Sequence, residues 1–284
     1  MYNAFISTLL WLSSISYIRE HTPKRKAALT IGLFDSSFGL SLVIGSVIGG
    51  LLISKYSFNI FYAISIFAFF ALLLSFFIPE HKKTRFISAI SLVIKKDKLL
   101  KGELINFKNN KPLVHLSFYT FLFYIVFSFT IMLVPLLLKE LNASFLQIGL
   151  ITAFFYLPLT FESYFSLIKN RKALINISLL TGIVLLVLVY KIDNLFYLFI
   201  VLFLLGLCNS ALRPLIEGKV TELTPKKEIG EMTAVTRTIK EFAFVVGPLG
   251  AGIISDLVGI KLVFLIGSII FIMLYTLHFR EAIA

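Results

Sequence analysis

Seven ionisable side chains interrupt otherwise apolar stretches of this sequence. Arg237, Lys240 and Glu241 stand at i, i+3 and i+4, which is one face of a helix, and Arg213 and Glu217 share another at i, i+4. Asp35 and Glu162 are lone acids in separate apolar runs. Ionisable residues in such runs are costly and usually face a cavity or one another. The five clustered charges suit a gate of ion pairs that breaks and re-forms. The competing reading is anchoring, because long side chains near a helix end reach the headgroup region. A desolvated carboxylate favours its neutral form, so Asp35 and Glu162 suit proton coupling. Their alternative is a structural pair with a lysine such as Lys169. Tyr119, Tyr124, Gln147 and Asn209 offer hydrogen bonds to a small molecule, or equally to neighbouring helices.

Other chemistries find no support. Cys208 is the single cysteine, and the four histidines are far apart without ligand spacing, which argues against a disulfide or a metal site. A G-x-x-x-x-G-K-[ST] phosphate loop is absent. So are His-Glu-x-x-His, Ser-His and paired-Asp arrangements. The sequence therefore predicts neither an enzyme nor a bound cofactor. The first residues lack a basic region and a small-residue cleavage site, so no signal peptide is expected.

The elements that must position these residues are apolar spans. The chain has 284 residues, 58% of them hydrophobic, with 30 Phe, a mean hydropathy of +0.93 and only 15% charged residues. A soluble domain averages about 25% charged. Nine segments approach or reach the ~20 residues a bilayer requires: Tyr2–Tyr17, Ala27–Ile53, Ile60–Ile78, Leu113–Leu138, Phe145–Ile168, Ala173–Tyr190, Leu195–Ile216, Met232–Ile254 and Leu262–Leu277. In lipid each must make its backbone hydrogen bonds internally, hence as a helix. No alternating pattern supports a barrel. The predicted class is an all-α polytopic membrane protein.

The net charge of +12 would suit nucleic acid, but its distribution does not. The breaks after odd-numbered segments, taken with Arg213, Arg237 and Lys240 at the adjoining helix ends, hold 23 of the 27 Lys and Arg; Lys55, Lys139, Lys191 and Lys261 are the remainder. Basic residues gather on the cytoplasmic side. The expected topology places the N-terminus outside and the C-terminus in the cytoplasm, and the expected location is the plasma membrane. The lipid bilayer is the partner this charge serves.

The longest break, 80–112, carries nine Lys or Arg and divides an incomplete bundle of three helices (1–79) from a six-helix bundle (113–284). Within it, Phe86–Ile94 is apolar enough to lie in the membrane interface. The two parts repeat. A shift of 202 residues places Glu20, Thr22, Pro23 and Lys24 on Glu222, Thr224, Pro225 and Lys226, and Gly45 and Gly50 on Gly247 and Gly252. It also places Asp35 on Arg237. The stretches Gly45-Ser46-Val47-Ile48-Gly49-Gly50 and Gly247-Pro248-Leu249-Gly250-Ala251-Gly252 read as packing or hinge elements.

On these T-P-K-[KR] junctions, glycine stretches, basic central loop and parallel repeat, the chain resembles the major facilitator superfamily of secondary transporters. The first glycine stretch is similar to that family's fifth-helix antiporter motif, with Ser46 where proline is usual. The resemblance aligns the nine segments with helices four to twelve of a twelve-helix transporter. Counterparts of the first three helices, and of the loop motif G-x-L-x-D-R-x-G, do not appear. The motif between the eighth and ninth family helices is reduced to Lys169-Asn170-Arg171-Lys172.

The resemblance implies alternating-access movement of a small molecule, with an antiporter-like lean towards proton-coupled efflux. The alternative is a non-transporting remnant, or a subunit that needs a partner chain for three helices.

Overall fold

The structure, a computed structural model, describes residues 24–56, 110–165, 167–224 and 229–283, with isolated helical positions at Tyr62, Ser65, Ile66, Phe69, Phe70, Leu73 and Phe107. The first predicted segment, most of the third and the interfacial stretch Phe86–Ile94 lie outside the described residues.

Seven helices long and apolar enough to span a membrane are present among the described residues. They fall on seven of the nine predicted segments. α1 is Lys24–Tyr56 and α2 is Lys111–Glu140. α3 (Phe145–Tyr156) passes through a 3-10 segment, Leu157–Phe161, into the short α4 (Glu162–Phe165). α5 is Arg171–Lys191, α6 Leu195–Leu223, α7 Ile229–Val258 and α8 Ile260–Ile283.

Local chemistry sets these boundaries. Asn110 and Asn170 cap α2 and α5 by accepting from the Leu113 and Ala173 amides at 3.3 and 3.1 Å. Ser144 and Gln147 form a capping box that starts α3. Pro158 has no amide to donate, and the chain tightens there into the 3-10 turn that carries it to Glu162. Gly259, at φ +89°, takes the left-handed conformation that separates α7 from α8.

The principal packing pairs are α1 on α3, α2 on α7, α5 on α8 and α5 on α6. The core between α2, α5, α6 and α8 is aromatic and aliphatic, with Phe123, Tyr124, Leu133, Leu186, Phe264 and Phe271 fully buried. The outward faces are apolar too: Leu249, Val245 and Ile253 of α7 and Ile177 and Val184 of α5 are all exposed. A bundle that is apolar inside and out is built for lipid.

α1 belongs to the first predicted bundle and meets the second at bare backbone. A Cβ on Gly149 would lie 2.6 Å from the Ser46 carbonyl oxygen, and one on Gly50 would lie 2.9 Å from the Gly149 Cα. Gly39 similarly rests on the Leu159 backbone, and Gly32 on Ser163. Small residues permit this approach. It lays the first acid, Asp35, beside the turn that bears the second.

Candidate functional site: a buried charge network beside a cavity

Arg213 organises the site. It rises from the middle of α6, and its guanidinium lies 3.2 Å from Glu162 and 3.8 Å from Asp35. The two acids come from different helices, Asp35 from α1 and Glu162 from α4. All three groups are withdrawn from solvent, with Glu162 at 0% exposure. The guanidinium also stacks 5.3 Å from the Phe127 ring centroid. Glu162 takes no hydrogen bond at either oxygen and relies on the ion pair alone. A charge placed so is held by attraction across a low-dielectric gap, and it is sensitive to anything that neutralises a partner.

A second cluster adjoins the first. Lys240 of α7 donates to Glu217 Oε1 of α6 at 2.9 Å, and the Tyr124 hydroxyl donates to the same oxygen at 3.3 Å. The Lys240 ammonium lies 4.4 Å from the Tyr124 ring centroid, so one aromatic side chain supports the cation with its face and the anion with its hydroxyl. One turn along α7, Arg237 pairs with Glu241. The five gate candidates inferred from sequence fall into three separate ion-pair groups: Arg213 with Asp35 and Glu162, Lys240 with Glu217, and Arg237 with Glu241. Arg213 and Glu217 share a helix face and yet serve separate pairs. Glu162 is paired with Arg213, not with Lys169, and the Asp35–Arg213–Glu162 triad joins the two proton-coupling candidates to one of the gate candidates.

The network opens on a cavity of about 320 Å³. Arg213, Arg237, Lys240 and Glu241 form its polar wall. Phe38 and Leu42 of α1 close one side, and Phe127, Ile131, Tyr156 and Phe244 supply an apolar and aromatic lining. α1, α2, α3, α6 and α7 all contribute, so the cavity lies between α1 and the helices of the later part of the chain. Apolar lining with a few convergent polar groups is the usual make-up of a small-molecule site.

The remaining predicted residues disperse. Tyr119 lines a different hollow, near the start of α2. Gln147 is committed to its capping box, accepting from the Ser144 amide at 2.8 Å. Asn209 lies one turn before Arg213 on α6, buried, with its Oδ1 unpartnered. Of the glycines, Gly50 meets α3, and Gly247 meets Ser128 and Ile125 of α2. Beside them, Ser128 donates to the Ala243 carbonyl at 3.2 Å. Among the described residues nothing lies within 4 Å of a Cβ placed on Gly45, Gly49 or Gly250, and Gly252 reaches only the tip of Met132. Pro248 sits within α7.

Sequence reasoning passed over Gly149 and Gly206, the latter pressed against the Phe155 carbonyl. Neither belongs to a glycine cluster, and only the helix packing marks them.

The two roles of Tyr124 can be separated. Tyr124→Phe keeps the ring and loses the bond to Glu217, with an expected cost of about 1 kcal/mol. Tyr124→Leu also removes the surface beneath the ammonium and should cost about 1–2 kcal/mol more. Unfolding by SDS titration in micelles measures both; equal losses would show that the ring does nothing for Lys240.

Comparisons with known proteins follow the same outline. The family model of the Major Facilitator Superfamily matches residues 2–115 and 116–282. The multi-drug resistance efflux pump PmrA homolog of Lactococcus lactis subsp. lactis (strain IL1403) is 25% identical over 271 residues, 92% of this chain and 65% of that protein. The chain therefore spans just under two thirds of that relative's length. The crystal structure of the human organic anion transporter MFSD10 (TETRAN) superposes with a TM-score of 0.53 at 19% identity. That match covers 59% of this chain and 41% of the other, and it is a likeness of fold.

Proposed function

The chain belongs to the major facilitator superfamily, and is thus an integral membrane transporter and not an enzyme; on that premise we propose that it exports a small amphiphilic molecule in exchange for protons. The observation that carries the coupling is the Asp35–Arg213–Glu162 triad, in which two carboxylates from different bundles share one guanidinium. When a proton neutralises Asp35, α1 loses its attraction to Arg213 of α6, and when one neutralises Glu162, Asp35 is left as the remaining acid on the guanidinium. Charge state and bundle contact are thereby linked, as alternating access requires.

The direction of transport is read from the relative, a multi-drug efflux pump. The aromatic cavity wall suits substrates that are flat and apolar over most of their surface. Lys240–Glu217 and Arg237–Glu241 would act as the gate at the same wall. The basic helix ends are placed in the cytoplasm, with the N-terminus outside, the C-terminus inside and the plasma membrane as location. The bundles 1–79 and 113–284 then move about the basic segment 80–112. Helices from a partner chain would extend the first bundle.

The test is dye movement into proteoliposomes driven by an imposed pH gradient. The wild-type chain should respond to the gradient, whereas Asp35→Asn and Glu162→Gln should both fall to the level of empty liposomes while still binding the dye. If binding and gradient-driven movement survive in both variants, proton coupling through the triad is wrong. If the wild-type chain is inert alone and active when a chain supplying further helices is co-reconstituted, transport by this chain alone is abandoned and the subunit reading replaces it.

A further inference from the structure

A second hollow, of about 290 Å³, lies away from the charge network, where α2 and α5 begin and α6 and α8 end. Its floor is apolar, made by Leu116, Ile175, Leu215 and Ile216. Its rim is basic: Arg171 and Lys172 stand at the start of α5, and Lys219 on the last turns of α6. One acid answers them. Glu222 binds Arg171 at 2.7 Å and lies 4.0 Å from Lys219. Lys172 is exposed beside them. Three cations against one carboxylate leave the described rim positive.

We propose that this hollow is a binding site for the headgroup of an anionic phospholipid. Three features favour a lipid over a soluble anion. The floor is largely aliphatic, which suits the start of an acyl chain and not a free anion. The basic groups sit at helix ends, the depth at which headgroups lie. Lys172 and Lys219 are on long stems that can close over a phosphate from opposite helices, while Arg171 stays with Glu222. Basic pockets between membrane helices hold anionic headgroups by this combination. The site also gives a use to the basic run Lys169-Asn170-Arg171-Lys172, which the charge network leaves idle. Occupancy would fix the start of α5 to the end of α6, both of which belong to the second bundle.

The experiment is native mass spectrometry of the full chain, with dioleoyl phosphatidylglycerol and dioleoyl phosphatidylcholine offered at equal concentration. The wild-type chain should retain one phosphatidylglycerol in preference to phosphatidylcholine. Each exposed lysine near an anionic headgroup is worth about fivefold in affinity, so Lys172→Gln with Lys219→Gln should reduce the preference about 25-fold. Lys139→Gln with Lys191→Gln, at the other ends of α2 and α5, should leave it unchanged. No headgroup preference in the wild type, equal losses in the two double variants, or displacement of the lipid by equimolar inorganic phosphate would each overturn the assignment.

Discussion

Replacing Arg213 with glutamine should be among the most damaging single changes in this chain, lowering stability by about 3–5 kcal/mol. The argument rests on what remains. Asp35 and Glu162 both pair with Arg213, at 3.8 and 3.2 Å. Without the guanidinium, two buried acids repel, and Glu162 has no hydrogen bond to fall back on. Removing one partner from a buried ion pair costs far more than removing the pair, because the survivor keeps its desolvation penalty. The prediction therefore has an internal check. Glu162→Gln added to Arg213→Gln should recover a large share of the loss, and the coupling energy of that double-mutant cycle should be favourable. SDS titration in micelles measures all four chains. If Arg213→Gln is as stable as the wild type, or the second change does not rescue it, the triad does not carry buried charge. Transport should not return in the rescued variant, since Asp35 is left without the guanidinium that its charge state would bind or release.

The same residues show how far sequence can be read. The apolar spans follow from length and composition, and seven of them are found where expected. The Arg237–Glu241 pair follows from i, i+4 spacing, since both partners ride one helix. Arg213 and Glu217 have the same spacing but different partners, because each finds a better charge on a neighbouring helix. Helix periodicity reports faces, not the neighbour a face meets. Asp35 and Glu162 were recognisable as unusual, yet their common partner lies more than fifty residues from the nearer of them. Gln147 shows a different lapse. Ser144-x-x-Gln147 is a local capping signature, and it accounts for the amide without a substrate. In that case local chemistry was legible and outranked the polar-residue reading.

The contact that brings Asp35 to Arg213 suggests the second large effect. Gly149→Val should pry α1 from α3. A Cβ at that position would sit 2.6 Å from the Ser46 carbonyl oxygen and 2.8 Å from the Gly50 Cα, both main-chain atoms with no rotamer to yield. Overpacking of this kind costs about 1–3 kcal/mol, more where backbone must move. The displacement has a functional reach, because α1 is one continuous helix from Lys24 to Tyr56. Gly50 and Asp35 are fifteen residues apart, or roughly 22 Å along its axis, so a tilt imposed at one end opens the ion pair at the other. Gly45→Val supplies the control on the same helix, since no described atom lies within 4 Å of its Cβ position. The expected result is loss of both stability and gradient-driven transport in Gly149→Val, with stability retained in Gly45→Val. Equal stability of the two variants would mean that α1 does not dock on α3 through these glycines. Loss of transport without loss of stability in Gly149→Val would instead show that the contact is broken and remade during the cycle, with the valine permitting only the open arrangement.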